Sequence, residues 1–72
     1  MRIQINGEPR EFPQDSRSLN ELIDTLALPP QRIAVEVNKT IVRRSDWPTT
    51  TVKDGDQIEI VHFVGGGCTD RI

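Results

Sequence analysis

The sequence predicts an α+β fold, a mixed sheet of four or five strands curved around one main helix. Two observations point there. An alternating, strand-like stretch opens the chain at residues 2–5, and a longer apolar, β-branched one lies near its end at residues 57–64. Between them stands one convincing amphipathic helix, at residues 19–27. The two strands fit best side by side and parallel in the sheet centre. Parallel neighbours need a long crossover connection, and this chain has one, with the helix free to cover one face.

Each element has its own signal. Arg2-Ile3-Gln4-Ile5 alternates at period two, and Asn6-Gly7 is the residue pair best suited to a two-residue hairpin turn. The returning strand runs through Arg10-Glu11-Phe12, with Pro9 and Pro13 assigning it to a sheet edge, where a missing N–H is tolerated. Ser18-Leu19-Asn20-Glu21 has capping-box spacing, and Leu19, Leu22, Ile23 and Leu26 follow as one apolar stripe. Pro29 pushes Leu28 out of the α region, so the helix is expected to stop near Ala27. Ile33, Val35 and Val37 mark a third strand, Asn38-Lys39 a tight turn and Ile41-Val42 a short return. Residues 43–48 are irregular, with Trp47 a plug over them. The stretch 49–52 is β-prone, Asp54-Gly55-Asp56 is a turn, and the last strand runs from Gln57 to Val64. This arrangement is the ubiquitin-like β-grasp.

Bulk properties exclude several classes. Seventy-two residues with 35% hydrophobic content make one domain with a modest core. A formal charge of −2 does not fit a nucleic-acid binder, which needs a clustered basic face. A lone cysteine forms no internal disulfide, and no signal-peptide pattern opens the chain. No apolar run approaches the roughly 18 residues of a membrane span, so a cytoplasmic location is expected. The division expected is a domain over 1–64, a flexible glycine tail over 65–67 and a C-terminal extension over 68–72.

The chemistry is expected at Gly65-Gly66-Gly67, directly after the last strand. Three residues without Cβ make a thin probe reaching about 10 Å beyond the fold, at 3.3–3.6 Å per residue. A free glycine carboxylate is a poor electrophile. Once a partner converts it to an acyl-adenylate, a sulfur nucleophile can attack the unhindered carbonyl, giving a thiocarboxylate or a conjugate. The glycines lack the Lys-Ser/Thr of a phosphate-binding loop, so ATP is expected on the activating partner and no cofactor on this chain. No catalytic residue is assigned. Val61 and Phe63 share a strand face by period two and, with Val64, are expected to dock the partner. His62 is expected to be a strand-end histidine with a backbone partner, not a metal ligand. Cys68 reads as part of an unstructured tail, not as a nucleophile.

Val37-Asn38-Lys39, Ile41-Val42, Arg44-Ser45, Trp47 and above all residues 54–67 resemble the ThiS-like sulfur carriers of thiamine biosynthesis. The resemblance implies that Gly67 is adenylated by an E1-like (ThiF-type) enzyme and becomes a thiocarboxylate. A sulfur donor system would supply the sulfur, and a ThiG-type thiazole synthase would receive it. Such carriers usually stop at the glycines, whereas Cys68-Thr69-Asp70-Arg71-Ile72 follows here and locks the Gly67 carbonyl in an amide. A processing protease is therefore expected to cut between Gly67 and Cys68. The alternatives are a carrier for another sulfur pathway, such as molybdopterin or a secondary metabolite, and a β-grasp interaction module whose tail is never activated.

Overall fold

Asn6 and Gly7 both take left-handed backbone, with φ of 53° and 83°, and so turn β1 (Arg2–Ile5) tightly into the antiparallel β2 (Glu8–Glu11). The computed structural model describes residues 1–64 and 68–71, by backbone alone at 63, 64 and 68–71. Further along come β3 (Ser16–Ser18), α1 (Leu19–Thr25), a 3-10 turn (Pro30–Arg32), β4 (Ile33–Val37) and β5 (Thr40–Val42). A second 3-10 helix (Arg44–Thr49), β6 (Thr51–Lys53), β7 (Gln57–Val64) and β8 (Cys68–Arg71) complete the order.

The main sheet runs β2-β1-β7-β4-β5, with β8 added on β7. β1 and β7 are parallel, in the register Gln4↔Gln57 and Ile5↔Ile58, as expected of two strands joined by a crossover. β2, carrying Pro9, is one edge of this order and β5 the other. The predicted mixed sheet over one main helix is present.

Ser18 caps α1: its Oγ accepts from the Glu21 N–H at 3.2 Å and donates to Glu21 Oε1 at 2.9 Å. The helix ends at Thr25, earlier than expected from Pro29. Ala27 turns left-handed (φ 56°), its N–H donating to Asp24 O and that of Leu28 to Ile23 O. This is a Schellman stop, which closes the helix before the proline is reached.

Leu19, Leu22 and Ile23 of α1 are buried against Ile3 and Ile5 of β1, Ile33 and Val35 of β4, and Ile58 and Ile60 of β7. Trp47 closes the same core from the second 3-10 helix, its Nε1 donating to Val42 O at 3.1 Å.

Two features depart from expectation. β3 pairs with β6 as a separate small sheet, although Ser16-Arg17-Ser18 has no apolar alternation. Cys68–Arg71, expected to be unstructured, is a strand antiparallel to β7, in the register Val61↔Arg71 through Val64↔Cys68. Its polar sequence carries no strand signal. The pairing comes from the backbone edge that β7 presents beside it.

Candidate functional site

β7 leads to the glycines, and what holds it determines how firmly they are mounted. In an antiparallel or parallel ladder, successive residues turn their backbone groups to opposite neighbours. The Asn38 N–H donates to Gln57 O at 2.7 Å, so the odd-numbered residues of β7 face β4. The Asn6 N–H donates to Ile58 O at 2.9 Å, so the even-numbered residues face the β1 side.

β1 ends before it reaches Ile60. The Asn6 side chain takes over there: Oδ1 accepts from the Ile60 N–H at 2.7 Å, and Nδ2 donates to Ile60 O at 3.0 Å. One amide thus makes the pair of bonds that a facing strand residue would make. Beyond Ile60, β8 continues the edge opposite His62 and Val64. β7 is therefore held along both sides for most of its length.

The start of β7 is anchored as well. Asp56 is buried, its Oδ1 accepting from Asn38 Nδ2 at 3.1 Å and its Oδ2 from the Lys53 N–H at 3.0 Å. Asn38 Oδ1 in turn accepts from the Gln57 N–H at 2.9 Å. Two charged or polar residues that read as mere turn formers hold the strand's entry.

The faces divide by parity. Ile58 and Ile60 enter the core, while Val61 lies half-buried on the opposite face, beside Ala34 of β4. In the neighbouring row of that face, Ile41 is set across from Glu36 and is 72% exposed, a large apolar residue on the outside of the sheet. Phe63 and Val64 are placed by backbone register alone, opposite Thr69 and Cys68. Gly65, Gly66 and Gly67 lie outside the described residues, so the expected tail and its modified carbonyl do too.

His62 Nδ1 is buried with no hydrogen-bond partner among the described residues, so the backbone partner expected of this histidine is not made at that nitrogen. Among the described residues, no three of His, Cys, Asp and Glu come together as metal ligands would. No described helix is long and apolar enough to cross a membrane.

Comparison with known proteins adds the family. Residues 3–67 match the model of the ThiS family. A thiazole synthase of Magnetococcus marinus is 40% identical over 67 residues, which are 93% of this chain and 20% of that protein. The chain thus spans about a fifth of the length of that relative, and the same fraction of a similar thiazole synthase from Paramagnetospirillum magneticum. The sulfur carrier protein ThiS of Bacillus subtilis is 35% identical over 65 residues, 90% of this chain and 98% of that one. A crystal structure of the thiamine biosynthesis protein ThiS from Geobacter metallireducens superposes with a TM-score of 0.85 at 35% identity. It covers 93% of this chain and all of its own.

Proposed function

Because this chain belongs to the ThiS family, we propose that it carries sulfur on the carboxyl group of Gly67 and is a substrate of enzymes, not an enzyme. A protease first hydrolyses the Gly67–Cys68 amide, leaving a carboxylate on Gly67. A ThiF-type adenylyltransferase, which binds the ATP, lets that carboxylate attack the α-phosphorus and expel pyrophosphate. A hydrosulfide equivalent from a sulfur donor system then displaces AMP from the carbonyl, so that a C–S bond replaces the acyl C–O bond. The thiocarboxylate passes to a ThiG-type thiazole synthase in thiamine biosynthesis. These steps belong to the cytoplasm, where ATP is at hand.

The observation that carries this reading is the family match, which ends on the third glycine, directly beyond β7, whose residues 58–62 are paired with β4. Glycine there leaves the acyl carbon unhindered and the segment thin enough for a partner's channel. Val61, Phe63 and Val64 would form the contact surface beside it, with Ile41 exposed on the Val61 face.

The direct test incubates the chain ending at Gly67 with a ThiF-type enzyme, ATP and sulfide. A gain of about 16 mass units, from –COOH to –COSH, is expected. No gain with a partner that activates another carrier would overturn the proposal in favour of an interaction module. The intact mass of protein from its native host tests the trimming step, and material always retaining residues beyond Gly67 would contradict it.

A further inference from the structure

We propose that the free edge of β5, centred on Ile41, takes up an extended strand of another protein, an apolar residue flanked by acidic ones, as an added strand of the main sheet. The contact is made by backbone two strands away from β7 and does not depend on what happens at Gly67, so it goes beyond the carrier reading.

The two ends of the strand order β2-β1-β7-β4-β5 differ. The Gln4 N–H donates to Asp56 O, so Gln4 turns its backbone groups away from β2, and Pro9, its partner in register, turns its own outward. Proline has no N–H to offer there, and Glu8, Arg10 and Glu11 fill the rest of that strand with charge. Both are usual ways of blunting an edge. β5 has neither. The Asn38 N–H donates to Gln57 O, so by alternation Val35 and Val37 bond to Val42 and Thr40. Ile41, between them, directs its N–H and its C=O away from β4, and no backbone bond to another described residue takes them up. Its apolar side chain is exposed beside these open groups.

Charge selects the occupant. Residues 37–45 hold Lys39, Arg43 and Arg44 and no acid, in a chain of formal charge −2, and all three cations are exposed. A second copy of β5, laid antiparallel on Ile41, sets Lys39 opposite Arg43 at both ends, a like-charge pairing that opposes it. A strand with an apolar residue opposite Ile41 and a carboxylate two residues to either side sets opposite charges there instead, in either strand direction. Glu36, across from Ile41, stands on the inner side, about 10 Å or two strand spacings from the incoming chain. At that distance salt largely screens its repulsion. Asp46 follows only in the second 3-10 helix, past Arg43 and Arg44. Main-chain bonds give such a contact its hold, and the flanking charges give it selectivity.

The test follows amide exchange by NMR in the full chain, with the blocked peptide Glu-Thr-Ile-Thr-Glu at millimolar concentration. Two further peptides carry Gln or Lys in place of both Glu residues. In the free chain the Ile41 amide is expected to exchange fast at every protein concentration, while that of Val35, which faces β5, is protected. The acidic peptide should slow Ile41 exchange by about threefold or more. The Gln peptide should bind about threefold more weakly, and the Lys peptide not measurably. Ile41→Pro gives β5 the blunted edge of β2 and should abolish the effect, with Val35 protection reporting that the hairpin stands. Arg43→Glu leaves the backbone alone and should weaken the acidic peptide by about threefold. Slow Ile41 exchange in the free chain would overturn the proposal, in favour of a second copy if it grows with concentration and of cover within the chain if it does not. So would an acidic peptide that protects nothing, a Lys peptide that protects as well, or undiminished binding to Arg43→Glu. None of these readouts involves Gly67 or an activating enzyme. Their failure leaves the carrier reading standing, and a missing mass gain on Gly67 would sink that reading without touching this contact.

Discussion

At Asn6, a left-handed backbone and a side-chain amide serve different neighbours. The backbone makes the β1–β2 turn, and the amide holds both polar groups of Ile60. Glycine accepts the same backbone without strain, so Asn6→Gly isolates the amide. Loss of both bonds at a half-buried site is expected to cost about 1–3 kcal/mol, read from the urea midpoint. An unchanged midpoint would mean that solvent serves Ile60 equally well. Asp56 invites the same reasoning with a charge. Its buried carboxylate accepts from Asn38 and Lys53, and Asp56→Ala leaves both donors without it. About 2 kcal/mol or more should be lost in the same assay. Neither role was legible in the sequence. Asn-Gly and Asp-Gly-Asp read as turns, which they are, but a turn signal says nothing about Ile60, 54 positions from Asn6, or Asn38, 18 positions from Asp56.

Among the elements, the hairpin β4–β5 carries its turn at some cost. Asn38 and Lys39 both have positive φ, 51° and 69°, and only the first belongs to a type that tolerates it well. Lys39→Gly would complete an Asn-Gly turn and should stabilise the domain by about 1 kcal/mol, visible as a higher thermal midpoint. Ala27→Gly, at the left-handed stop of α1, should act in the same direction and by a similar amount. A lower midpoint in either variant would show that the entropy of the unfolded glycine chain outweighs the relieved strain. The elements that sequence made plain are those whose signal is local. Ser18 with Glu21 capped the helix as read, Asn6-Gly7 turned, and the isoleucines of β7 entered the core by period two. Those that sequence hid are made by their neighbours. Ser16–Ser18 becomes a strand because Thr51–Lys53 lies beside it, and Cys68–Arg71 because β7 still has an unpaired edge. Composition cannot report a partner that only tertiary structure brings near.

For the whole molecule, the proposed function divides the labour between the core and the glycines, and the two can be separated by experiment. The core holds β7, with Trp47 buried in it and donating to Val42 O. The acyl chemistry proposed for Gly67 needs a carbonyl without a Cβ beside it. In the chain ending at Gly67, Gly67→Val should therefore abolish the thiocarboxylate mass gain and leave the denaturation midpoint where it was. Trp47→Ala should do the opposite. Emptying so large a buried site is expected to cost about 3–5 kcal/mol. That is a large share of the roughly 5–15 kcal/mol available to a natural domain, so the thermal midpoint should fall steeply. At temperatures well below the new midpoint, the folded fraction should still be activated at the parent rate, because Trp47 lies in the core with Ile58 and Ile60, on the side of the sheet away from Val61. Should Gly67→Val unfold the domain, or Trp47→Ala abolish activation while the fold persists, mount and probe would not be independent. The partner would then have to read the body of the fold as closely as its end.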